Sequence, residues 1–416
     1  MAYLPRIADN ELLSRLNSAG AVLIEGAKAT GKTETASQAS RSRVNIDTDA
    51  RIRELLALDP NLVLEGAVPR LVDEWQLAPE LWNYIRREVD DRGQKGQFIL
   101  TGSAVPADDV TRHSGAGRFS RLRMRPMSLL ESGHSTGAIS LRALLEGAGS
   151  RSVDVGTSVQ DLARWMVIGG WPGLVGATEM DARRLARDYL DQIRRVDLER
   201  VDGVRRDPQK VGALLQSLAR NVATEASIST LSTDAGGPEG ALSRHTTYQY
   251  LDALERVFVV ESQPAWAPHL RSATPLRSTP KRHLVDPSLA AAALGATSGR
   301  LIADYELLGF MFESLVFRDL QVYAGPLGGE VFHYRDASGL EVDAIVETAE
   351  MGWAAFEVKL SPGSIDDAAA SLLRFKDRID TRRTGQPAVL GIIVGTGYGY
   401  TREDGIAVVP ISAFGP

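Results

Sequence analysis

The chain has 416 residues, too many for one ordinary hydrophobic core, so two or three domains are expected. Its 44% hydrophobic and 24% charged residues suit a soluble globular protein. The absence of cysteine excludes disulfides, thiolate zinc sites and cysteine nucleophiles, and fits an intracellular, cytoplasmic protein. A net charge of −6 argues against a surface coated for nucleic acid but leaves room for a local basic groove. No apolar run approaches the ~20 residues that cross a bilayer. The first residues, MAYLPRIADNELLSRL, have no basic segment followed by an apolar one, so neither a leader nor a membrane partner is expected.

In chain order, the apolar run Ala21-Val22-Leu23-Ile24 predicts a buried parallel strand, and Glu34 to Ala39 predict the opening of a helix. Between them Gly26 to Thr33 read GAKATGKT, a G-x-x-x-x-G-K-[ST] loop. Its glycines let backbone N–H groups turn toward phosphate oxygens at the positive end of a helix. A nucleotide is therefore expected against Gly26, Ala27, Lys28, Ala29, Thr30, Gly31, Lys32, Thr33 and Glu34. Lys32 would reach the β- and γ-phosphates, and the Thr33 hydroxyl would hold Mg²⁺.

A second strand is expected over Arg43 to Asp47, then a helix over Ala50 to Leu56, then a short strand that ends at Asp73-Glu74. This acidic pair lies about 40 residues beyond the loop, where a parallel sheet brings strand ends into one crevice. Asp73 then takes a metal role and Glu74 the role of base toward the attacking water. After a helix over Glu80 to Val89, the strand Gln97 to Ser103 offers Thr101 or Ser103 to the γ-phosphate or the water. The stretch Phe119 to Met124 alternates as a strand with one cationic face. Arg118 before it is either a charge stabiliser for phosphoryl transfer, within its subunit or across an interface, or part of a solvated edge.

The order GAKATGKT, Asp73-Glu74-Trp75-Gln76, Leu100-Thr101-Gly102-Ser103 and Gly117-Arg118 resembles that of prokaryotic AAA-type ATPases fused to a DUF4143 region. The resemblance implies an ASCE-type P-loop NTPase sheet, parallel with helices on both faces. It also implies ATP rather than GTP, and no Asn-Lys-x-Asp guanine-reading segment is present. One departure is Lys28-Ala29-Thr30, where relatives often carry arginine and glutamine, so no extra phosphate contact is assigned to Lys28. Gly169-Gly170-Trp171-Pro172-Gly173 looks like the Gly-Gly-aromatic-Pro segment of the DUF4143 family.

The Gly, Ser and Val stretch up to Ser158 reads as a linker, and Asp181 to Val201 as one long salt-bridged helix. Three helices and a strand over Gln209 to Ser262 resemble a winged helix. Its third helix would present Arg244, His245, Thr247 and Gln249 to a major groove, or serve only as a packing module. Further on come an apolar helix holding Glu313 and strands carrying Asp343, Glu357 and Lys359. Glu357 and Lys359 share one strand face. Together these residues look like the PD-(D/E)xK nuclease core, in which Asp343, Glu357 and Glu313 form a metal site and Lys359 positions or activates water. The glycine-rich stretch Gly395 to Gly399 is followed by no lysine-threonine pair and reads as a plain loop.

The expected organisation is a P-loop ATPase domain over 1–148, a helical and winged-helix-like region over 149–300, and a mixed α/β nuclease-like domain over 301–416. The expected partners are ATP, Mg²⁺ and DNA or RNA, with an oligomer allowed. The alternative is a nucleotide-switched protein whose C-terminal domain docks a protein partner without cleaving nucleic acid.

Overall fold

The computed structural model describes residues 3–105, 114–269 and 278–416. The chain forms two compact units. The first comprises residues 1–125, 197–205 and 253–259; the second comprises 126–196, 206–252 and 260–416. Each of these units combines segments that are distant in sequence. Among the described residues no helix is long and apolar enough to cross a membrane.

The first unit is built on a five-stranded parallel sheet: β1 (Ala21–Glu25), β2 (Ser42–Asn45), β3 (Arg70–Asp73), β4 (Phe98–Gly102) and β5 (Phe119–Arg123). The strand order is β2-β3-β4-β1-β5. One strand thus separates the strand before GAKATGKT from the strand that ends at Asp73, as in an ASCE-type P-loop NTPase. Alternate residues of β1 face opposite sides because the side-chain period of a strand is two. Val22 and Ile24 join Leu12, Leu16, Ala36 and Leu122 on one face. Ala21 and Leu23 join Val72, Trp82, Ile85 and Phe98 on the other. The covering helices are α1 (Ile7–Ser18), α2 (Lys32–Ala39), α3 (Ala50–Leu58) and α4 (Leu81–Arg92). Burial on both faces explains why these strands read as near-continuous apolar runs.

The long helix expected over Asp181 to Val201 is interrupted. Helix α5 (Glu179–Gln192) passes into a π-helical turn, Ile193–Asp197, before Leu198–Asp202 resumes. Helices α6 (Pro208–Arg220), α7 (Ile228–Gly236) and α8 (Arg244–Arg256) follow. The next strand, β6 (Val260–Gln263), begins two residues after Phe258, which turns the chain at φ 63°. It pairs antiparallel with β7 (Lys281–Leu284).

A six-stranded mixed sheet closes the chain: β8 (Glu330–Arg335), β9 (Glu341–Thr348), β10 (Gly352–Lys359), β11 (Val389–Val394), β12 (Tyr400–Thr401) and β13 (Ala407–Pro410). Its order is β12-β13-β11-β10-β9-β8. Helix α9 (Tyr305–Ala324) packs on this sheet, as does α10 (Ile365–Arg378), which links β10 to β11. Trp266, Trp353 and Phe375 are the largest side chains of the core on the α10 side. Residues 395–399 lie between β11 and β12, in agreement with the loop reading.

Candidate nucleotide site and a carboxylate cluster

GAKATGKT connects β1 to α2, so the helix N-terminus with its unpaired amides lies at the carboxyl edge of the sheet. Backbone geometry explains the small residues. A Cβ at Gly26 would lie 2.0 Å from the carbonyl oxygen of Met124. Gly31 caps α2 in the left-handed region at φ 92°, and Ala29 is also left-handed at φ 62°. The loop is tied from outside by buried Arg6, whose guanidinium donates to the carbonyls of Thr30 (2.7 Å) and Arg125 (2.8 Å). Lys32 Nζ donates to the Ala27 carbonyl at 2.8 Å. Burial pushes the Lys32 pKa down to about 8, with Arg123 and Lys28 adding to the effect and Glu74 and Asp73 opposing it.

Asp73 stands at the tip of β3 and gathers three donors. Its Oδ1 accepts from Thr33 Oγ1 (2.8 Å) and Thr101 Oγ1 (2.5 Å), and its Oδ2 accepts from Arg43 Nη2 (2.7 Å). Next to it, Glu74 adopts left-handed backbone at φ 56°, a conformation that costs a non-glycine residue of order 1 kcal/mol. The Glu74 amide donates to Thr101 Oγ1 at 3.2 Å. Its carboxylate accepts from Ser103 Oγ at 3.2 Å and from Gln76 Nε2. Strand register therefore brings Lys32, Thr33, Asp73, Glu74, Thr101 and Ser103 together. The pairing of Thr33 with Asp73 supplies hard oxygen donors, the type Mg²⁺ takes.

Two residues of this site, Arg43 and Arg123, were not legible in advance, and the contact made by Lys28 was not either. Arg43 binds Asp73 because Asn45 is in register with Asp73, which sets β2 beside it. Arg123 pairs opposite Glu25 at the loop end of β5 and lies 3.9 Å over the Phe258 ring. Lys28 forms an ion pair with Asp197 at 2.5 Å, with 45% of its side chain exposed. This ion pair holds the Lys28 ammonium on Asp197, in keeping with the assignment of no extra phosphate contact to it.

Arg118 requires a correction. Its carbonyl accepts from the Ala21 amide, so it lies at the amino edge of the sheet, a strand length or about 16 Å from the loop. Its exposed guanidinium holds Asp90 at 2.8 Å. This placement points the side chain away from its own loop. A second correction concerns the third helix: Thr247 is buried and donates to the Ser243 carbonyl, while Arg244, His245 and Gln249 are exposed. Helical spacing turns Thr247 inward with Tyr250 and Leu251.

The C-terminal sheet assembles Glu313 from α9, Asp343 from β9, and Glu357 and Lys359 from β10, as the motif predicts. It adds Lys281 from β7, which the sequence reading missed. The signal was a lysine inside Lys281-Arg282-His283-Leu284, a strand buried at every position. Lys281 lies 2.5 Å from Glu313 and 3.7 Å from Asp343. Lys359 lies 2.6 Å from Glu357 and 3.5 Å from Asp343. Asp343 Oδ2 also accepts from the Val358 amide at 2.8 Å. Burial raises the Glu313 pKa to about 7 despite Lys281. Burial and the Asp343 charge push Glu357 up, whereas for Asp343 the two lysines outweigh burial and hold it below its ordinary value. Among the described residues no group of three or more His, Cys, Asp or Glu forms a metal-binding arrangement. The expected metal site at Asp343, Glu357 and Glu313 thus meets a physical objection: ammonium groups already hold the oxygens a metal would need.

The family model of the AAA domain matches residues 18–132. Two domains of unknown function, DUF8612 and DUF4143, match 159–300 and 308–414. Over 358 residues the chain is 25% identical to the uncharacterized proteins Rv2008c of Mycobacterium tuberculosis and Mb2031c of Mycobacterium bovis, covering 85% of this chain and 73% of each relative. The Walker-type ATPase PABY2304 of Pyrococcus abyssi aligns at 13% identity with a TM-score of 0.43, covering 69% of this chain and 94% of that one. The chain carries an AAA domain with the P-loop NTPase fold and, after it, a DUF4143 domain.

Proposed function

We propose that this protein is a Mg²⁺-dependent ATPase that hydrolyses ATP at the crevice between GAKATGKT and Asp73-Glu74. The observation that carries the reading is the convergence of Thr33 and Thr101 on Asp73, with Glu74 adjoining them. Backbone amides of the loop and the α2 N-terminus bind the phosphates, and Lys32 leaves the Ala27 carbonyl for the β- and γ-phosphate oxygens. Thr33 and Asp73 would hold the metal, which would supply positive charge to offset that of the phosphates. The Glu74 carboxylate accepts the proton of the attacking water, and Gln76 and Ser103 fix its orientation. Thr101 positions both acidic residues through one hydroxyl. Arg118, at the far edge of the sheet, acts on nucleotide only in a neighbouring copy.

Nucleic acid is the partner this reading favours, supported by the exposed Arg244, His245 and Gln249 of α8. For hydrolysis the deciding experiment is Glu74→Gln. The variant is expected to bind ATP as wild type does and to lose turnover by about 10²- to 10⁴-fold. Normal turnover would remove Glu74 from its role.

A further inference from the structure

The C-terminal cluster carries the residues of a divalent-metal site together with a cation of its own. Lys281 lies outside the Asp343…Glu357-x-Lys359 segment, on a strand whose side chains are all buried. Only 8% of its side chain is exposed, so it has no solvent-facing position to retreat to. Its ammonium sits between Glu313 and Asp343, at 2.5 and 3.7 Å. A Mg²⁺ or Mn²⁺ ion shared by those carboxylates would need their oxygens at about 2.1 Å, in the volume that Nζ fills. Lys359 engages Glu357 and the second oxygen of Asp343, and the Val358 amide reaches that oxygen too. Three carboxylates thus face two ammonium groups.

We propose that Lys281 is the resident cation of this cluster, standing where a nuclease would hold its divalent metal, so that the DUF4143 region is a metal-independent, non-cleaving fold. The lysine joins β7, α9 and the β9–β10 hairpin through one buried point of charge. That clasp does for the fold what a structural metal does, without depending on metal supply. The inference concerns the C-terminal region alone and stands or falls separately from ATP hydrolysis.

The test is a Mn²⁺ titration of the full-length protein without nucleotide, read from the electron paramagnetic resonance signal of free Mn²⁺. Thermal unfolding in EDTA and in Mn²⁺ accompanies it. Wild type is expected to show no Mn²⁺ binding sensitive to Glu357→Gln up to about 1 mM, and a melting temperature that Mn²⁺ leaves unchanged. Lys281→Met keeps the aliphatic stem and removes the charge. It is expected to melt lower in EDTA, to gain a Mn²⁺ site, and to recover melting temperature when Mn²⁺ is added. Wild-type binding that Glu357→Gln abolishes would overturn the proposal, as would a folded Lys281→Met that binds no Mn²⁺. If Lys281→Met does not fold, the comparison of wild type with Glu357→Gln decides alone: a site lost in the variant overturns the proposal, and its absence upholds it.

Discussion

Two clusters of lysine and carboxylate in this chain look alike on paper and differ in how they are closed. At the nucleotide crevice the partners of Lys32 and Asp73 are replaceable. Lys32 donates to a loop carbonyl, and the arginine on Asp73 has 39% of its side chain exposed. At the C-terminal cluster each carboxylate meets a lysine; Lys281, Glu313, Asp343 and Glu357 each have 13% or less of their side chains exposed, and only Lys359, at 31%, reaches toward solvent. The first arrangement can exchange partners for an incoming anion and its cation. The second holds its charges among themselves. On the proposed reading the same residue types serve ligand exchange in one place and internal cohesion in the other, according to whether a neutral or exposed partner can be given up.

The largest expected effect breaks the first cluster. Lys32→Ala is expected to weaken ATP binding by at least about a hundredfold, read by calorimetry with a non-hydrolysable analogue, because a charge-assisted contact to phosphate is lost from a buried site. Affinity within tenfold of wild type would show that the loop amides bind phosphate without this lysine.

A matched pair of substitutions then sharpens the comparison. Asp343→Asn strips Lys281 and Lys359 of a shared buried partner and should cost about 3–5 kcal/mol in urea unfolding. Asp73→Asn should cost under about 1 kcal/mol, because Arg43 can turn to water, while ATP turnover is lost. Equal stability losses at the two sites would erase the distinction between exchangeable and closed clusters.

The smallest expected effect is a pH dependence. The free-state pKa of Lys32 is depressed to about 8, and bound phosphates would raise it. Binding therefore takes up a proton above that pH, and affinity falls by up to about tenfold per pH unit until the bound-state value is reached. Calorimetry in two buffers of different ionisation heat measures the uptake directly. An affinity flat from about pH 7 to about pH 10 would mean that Lys32 keeps its proton throughout.

Much of the nucleotide site was legible in the sequence because its chemistry is local. The glycine spacing of GAKATGKT, the apolar run before it and the acidic pair at the end of a later strand each report on backbone and charge within a few residues. The type of sheet was legible only through the resemblance of the motif order to P-loop ATPases, and its strand order came from the structure. The Asp343…Glu357-x-Lys359 pattern was legible for the same reason, since a strand repeats every two residues. The sequence by itself thus determined which side chains could bind phosphate or carry charge. Only the tertiary structure decided what each meets. It set Arg118 at the wrong edge of the sheet for its own loop, turned Thr247 inward, placed Arg43 on Asp73 through strand register, and drove Lys281 into the C-terminal carboxylates from a strand about 60 residues away. Those outcomes depend on pairings between distant segments, which no local spacing encodes.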